Sequence, residues 1–265
     1  MSRPAHAHTR LALPPALALV LLVSSLAACS GAHLCCHDEI EKRRWDDLPD
    51  TYAEQIAFAQ QRIEVERSDR EVVEGVMAAC RALQARPHDG EAAFLAAMGC
   101  FELRDRGRVP EWLEKDCIPL GERAVRAEGD DPWAHYVLAL NVGLEARDQN
   151  AKDALLNVGW ILSELEATIA LDESLDEGGP LRVLGLLYLR APAWPTSIGD
   201  EEKALEMVER AVARFPDHPL NRLALAEALI VDERPEQAAE QIAHARAHLD
   251  AARYGWRADV WTEQA

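Results

Sequence analysis

Leu181–Asn221 reads LRVLGLLYLRAPAWPTSIGDEEKALEMVERAVARFPDHPLN. It holds one helical segment, a loop rich in proline with one tryptophan, a second helical segment and the helix-ending Pro216. Ala204, Val208 and Ala211 lie on one face of the second segment, and Pro216 follows five residues after Ala211. Adding 34 to those three positions gives Ala238, Ile242 and Ala245. Alanine on such a face lets two helices approach closely, and proline then stops the second helix and turns the chain.

A 34-residue period with a small/large/small face is that of tetratricopeptide (TPR) helical hairpins. Leu184, Gly185 and Tyr188 supply the matching first-helix core, after which the loop is seven residues longer than a standard unit before Ala204. Asp200 is the expected N-cap of the second helix, with Glu201 and Glu202 at its positive end.

The same pattern extends in both directions. Asp50-Thr51 caps a helix through Ile63; Asp69 opens the next, with Gly75, Ala79 and Ala82 in the small positions before Pro87. Gly90 begins a hairpin whose helices run over 91–104 and 111–127, and 133–146 pairs with 153–171. The acids and glycines of 172–179 stop that last helix where a proline would be expected. A final hairpin spans 220–249, and a tail with Tyr254, Trp256 and Trp261 has the pattern of a capping helix. No stretch sustains a period of two, so the expectation is an all-α superhelix of four or five TPR-like hairpins over residues 47–265.

The first 28 residues read differently. Arg3 and Arg10 precede an apolar core at 11–26, and Leu26-Ala27-Ala28 then leads to Cys29. That is a secretory leader with a bacterial lipobox, which predicts lipidation of Cys29 and a tether over 29–46. No further long apolar run is read beyond the leader, so acyl chains would anchor the chain to a membrane rather than span it. Ser30 after the lipid site points to the outer membrane, facing the periplasm.

Acidic residues number 46 against 28 basic ones, a formal charge of −18, which disfavours nucleic acid as a partner. Besides Cys29 the chain has Cys35, Cys36, Cys80, Cys100 and Cys117, an odd set in an oxidising compartment, with Cys100 and Cys117 the first pair to test for a disulfide. His33, Cys35, Cys36 and His37 crowd four metal donors into five residues, but their spacing matches no standard zinc site and a polar tether accounts for them. His244 and His248 share a helix face with no third donor nearby in sequence, so they are assigned to solvated surface and no metal site is expected. No nucleophile elbow, zinc-protease, Walker or dinucleotide motif is present, so neither catalysis nor a cofactor is expected.

The run Gly178-Gly179-Pro180-Leu181-Arg182-Val183-Leu184-Gly185, then Ala191-Pro192-Ala193-Trp194-Pro195-Thr196-Ser197-Ile198-Gly199-Asp200, Lys203-Ala204 and Pro219-Leu220-Asn221, resembles the TatT family. These are TPR-like lipoproteins associated with tripartite ATP-independent periplasmic (TRAP) transporters. The resemblance implies a homotrimer that partners a periplasmic solute-binding protein and takes a small apolar or organic-acid ligand.

Within that frame Trp160, Arg182, Leu184, Tyr188, Trp194 and Asn221 are the candidate cleft residues. Each has a plainer explanation. Trp194 can plug the groove between hairpins, Arg182 and Asn221 can bond repeat to repeat, and Trp160, Leu184 and Tyr188 at helical spacing can be core. The second reading of the whole chain is a general TPR adaptor of the envelope without a small ligand.

Overall fold

The computed structural model describes residues 48–63, 68–254 and 256–264. Cys29 and the tether donors His33, Cys35, Cys36 and His37 lie outside the described residues.

Among the described residues, five helical hairpins follow one another: α1 (Tyr52–Arg62) with α2 (Asp69–Ala85), α3 (Gly90–Asp105) with α5 (Cys117–Ala127), α6 (Pro132–Asp148) with α7 (Ala151–Asp172), α8 (Leu175–Arg190) with α9 (Glu201–Arg214), and α10 (Pro219–Val231) with α11 (Pro235–His248). The short α4 (Glu111–Glu114) precedes α5, and α12 (Ala251–Tyr254) and α13 (Trp256–Gln264) form the tail. Each second helix also packs on the next first helix, and first helices neighbour one another along the array, as in α3 with α6 and α8 with α10. The fold is an all-α TPR-like repeat superhelix.

Local chemistry sets the helix starts. Thr51 and Ser68 each close a reciprocal capping box, with Glu54 and Glu71 respectively, and Asp200 accepts the Lys203 amide at 3.1 Å. The 34-residue register is buried as its pattern predicts, with Ala204, Val208, Ala211, Ala238 and Ala245 inside and Ile242 packed at the edge of the same core.

Three features depart from the sequence expectation. The helix expected over 111–127 is broken at Lys115-Asp116. Pro119 explains the break: its ring would clash with the Lys115 carbonyl in a continuous helix, whereas restarting at Cys117 places it in a first turn, where its missing N–H costs nothing. Cys80, Cys100 and Cys117 are buried thiols, and no disulfide joins Cys100 to Cys117. Lastly, α7 is long and apolar enough by composition to cross a membrane, which corrects the reading that no long apolar run follows the leader. Here its Val158, Ile161, Leu165 and Thr168 face inward while Leu156 and Leu171 are exposed.

Candidate functional site

The first turn of α8, directly after α7, is kinked and not helical. Asp176, Glu177 and Gly178 are all left-handed, with φ of 48°, 50° and 83°. That region costs a non-glycine residue about 1–2 kcal/mol, so two such residues in a row require compensation from their surroundings.

The compensation is a polar network, buried at Tyr136, Arg182 and Asn221 and open to solvent at Asp176. Tyr136 of α6 donates its hydroxyl to Asp176 at 3.0 Å. Arg182 donates to the same carboxylate at 2.9 Å and to Asn221 Oδ1 at 2.7 Å. Asn221, 0 % exposed, returns its amide to the Glu177 carbonyl at 2.9 Å. Burial, followed by the Asp176 charge, holds the Tyr136 phenol well above its usual range, so it stays a neutral donor. Three consecutive hairpins are thereby joined at one turn. Gly179 makes room for this: a Cβ there would lie 2.3 Å from Tyr136 Oη and 2.4 Å from Asp176 Oδ2.

The tail lies against this turn. Arg253 reaches the Glu177 carboxylate at 2.8 Å, and Arg257 reaches Glu102 of α3 at 2.7 Å. Asp105, the neighbouring acid, is raised from its ordinary value by burial, with Arg257 opposing the shift. Tyr254 and Trp261 pack on His218 at centroid distances of 5.8 and 6.3 Å. The tail therefore reaches back along the array as far as α3 instead of only closing the last hairpin.

His218 is 7 % exposed and its Nδ1 has no hydrogen-bond partner. Burial lowers its imidazole from 6.5 to about 4; Arg182 and Arg253 add to the shift and Asp176 opposes it. The folded chain holds this histidine neutral while the unfolded chain protonates it near its ordinary value. Its contribution to stability is therefore present above about pH 6.5 and is lost as pH falls toward about 4. We expect the fall in melting temperature between pH 7 and pH 4.5 to be smaller in His218→Phe than in the parent chain. An identical pH dependence in both would contradict this assignment.

The structure places the six sequence-predicted residues in different surroundings. Arg182 and Asn221 bond repeat to repeat, and Leu184, Trp160 and Tyr188 share one hydrophobic cluster with Leu138 and Leu165. Trp160 also donates its indole N–H to Glu164 at 3.1 Å, and Lys203 lies 5.5 Å from the Tyr188 ring centroid.

Trp194 stands apart from the other five. It is 84 % exposed, so it does not plug the groove between hairpins. The loop is short of apolar cover but not of internal bonds. Gly199 N donates to the Pro192 carbonyl at 2.9 Å, Thr196 N to Ala193 at 3.1 Å and Asp200 N to Tyr188 at 3.0 Å. Gly199 is required at this closure, since a Cβ would lie 2.1 Å from the Ala191 carbonyl oxygen. The loop bends through a cis Trp194–Pro195 bond and leaves Pro192, Ala193, Trp194 and Pro195 all exposed. Sequence reasoning found the loop and missed Tyr136, Asp176, His218 and the tail arginines, whose partners lie 40 or more residues away in most cases.

No family model matches the sequence, and no curated protein does. Among solved structures the chain is similar to a thermophilic TPR protein of Thermus thermophilus, at 19% identity and a TM-score of 0.58, covering 81% of this chain and 98% of that one. It also matches the MamA protein at 19% identity and a TM-score of 0.49, over 77% of this chain and 97% of that one. The first likeness agrees with the hairpin order described above and establishes the TPR-like fold.

Proposed function

We propose that this chain is a non-enzymatic scaffold of the TatT type, held in the cell envelope by a lipidated Cys29, that docks a protein partner through the Trp194 loop. The observation that carries this reading is the exposure of Trp194 on a loop stapled by its own hydrogen bonds. An indole presented on a preformed loop loses little conformational freedom on binding, and tryptophan is among the residues that dominate interface energetics. TPR-like repeats supply the rigid support.

Of the apolar residues named for a ligand cleft, Leu184 is buried in the core, Trp160 and Tyr188 are half-buried against it and Trp194 is exposed, which favours protein docking over small-molecule capture. The motif around 178–200 supports a periplasmic solute-binding protein as the partner and a homotrimer as the assembly, with the outer membrane as the anchoring site. Without that motif the same surfaces describe a general envelope adaptor.

The test is native mass spectrometry of the full chain mixed with solute-binding proteins of its own envelope. A complex that Trp194→Ala abolishes is the expected result, with stability unchanged within about 0.5 kcal/mol because the indole is a surface group. An undiminished complex in Trp194→Ala would remove the loop from the function, and monomers alone at micromolar concentration would remove the trimer.

A further inference from the structure

α11 sets His244 and His248 one turn apart on a single face, and the turn between α9 and α10 brings a third donor to them. Asp217 Oδ1 lies 3.3 Å from His244 Nε2 and 3.5 Å from His248 Nε2. All three ligating atoms fall within 4.8 Å of one another. We propose that Asp217, His244 and His248 form a binding site for a divalent transition-metal ion of the zinc class.

Three observations converge on a cation. First, His248 Nδ1 is committed to the His244 carbonyl at 2.9 Å, so in the neutral ring Nδ1 carries the proton and Nε2 keeps its lone pair. That lone pair faces Asp217 Oδ1 at 3.5 Å, so two potential ligand atoms point into the same space. The same backbone bond is the type of outer contact that orients metal-bound histidines.

Second, the two imidazoles are stacked, with centroids 4.3 Å apart and planes 13° from parallel. Stacking keeps both Nε2 atoms on one side, each within 3.5 Å of Asp217 Oδ1. Third, the spacing suits the ion. Zinc takes nitrogen at about 2.0–2.1 Å and carboxylate oxygen at about 2.0–2.2 Å, which separates tetrahedral neighbours by about 3.4 Å.

The side chains are exposed or half-buried, so the rings are free to tilt their lone pairs toward one point. Two imidazoles and a carboxylate are borderline donors that suit zinc, copper and nickel rather than calcium or magnesium. Three protein ligands leave a fourth position for water or for a donor from a partner. Because Asp217 precedes α10 and the histidines end α11, the ion would tie the last hairpin to the turn that leads into it.

The test uses the full chain carrying Cys35→Ser and Cys36→Ser, which removes the tether sulfurs as competing ligands. After chelator treatment it is titrated calorimetrically with Zn²⁺. One ion per chain is expected, with the melting temperature rising as the bound fraction rises. Asp217→Asn and His248→Ala should each weaken binding by at least about tenfold, the scale on which even outer-sphere losses act, while His88→Ala leaves it unchanged. Circular dichroism of each variant verifies the helical fold. Absence of zinc uptake in the serine-substituted chain, or uptake insensitive to Asp217→Asn and His248→Ala, would overturn the site.

Discussion

Asn221→Ala is expected to lower the free energy of unfolding by about 4 kcal/mol. The side chain is fully buried and bonds in both directions, accepting from Arg182 and donating to the Glu177 carbonyl. Truncation leaves a buried guanidinium and a half-buried carbonyl each one partner short, and each such loss costs about 1–3 kcal/mol. A small cavity adds to this. For a repeat domain of this size the melting temperature should fall by about 10 °C. Differential scanning calorimetry measures it directly, and a change under about 1 kcal/mol would show that the network does not join the hairpins as described. The left-handed residues Asp176 and Glu177 should lose protection in hydrogen exchange before the rest of the chain, because Asn221 is one of the groups that holds their turn.

Gly179→Ala tests the same junction from its packing side, with an expected loss of about 3 kcal/mol. The new methyl would overlap Tyr136 Oη and the Asp176 carboxylate, which are themselves hydrogen-bonded at 3.0 Å. Either the hydroxyl or the carboxylate must move, and Asp176 also pairs with Arg182. Gly143→Ala and Gly159→Ala are the controls. Both positions are helical with open space where the methyl would go, so alanine should stabilise them by about 0.5–1 kcal/mol through helix propensity. Because Gly179 and Asn221 meet in one network, the double variant should lose less than the sum of the single losses. Additive losses would mean that the two sites are independent.

The extent to which the site was legible depends on how far apart its parts lie in the chain. Ala204, Val208, Ala211 and their counterparts one period later were readable because helical periodicity is local and repeats itself. The Asp200 cap and the long loop after Arg190 were readable for the same reason. The break before α5 was also written in the sequence, at Pro119, but an apolar pattern continuing across it hid the proline's effect.

Arg182 and Asn221 illustrate the limit. Their position at the starts of first helices was evident, but whether they faced a ligand or each other depends on how two hairpins stack. Trp194 shows the same limit in reverse: composition suggested a buried plug, yet backbone hydrogen bonds close the loop on itself and turn the indole outward.

By itself the sequence determined the helices, their caps and the hairpin period, all of them set by residues a few positions apart or by one repeat. Tertiary structure alone decided that Tyr136 meets Asp176, that Arg257 crosses back to Glu102, and that Asp217 joins His244 and His248. Side chains with no local relation meet only because stacked hairpins fix their distance, and that distance comes from close packing between repeats rather than from any motif within one.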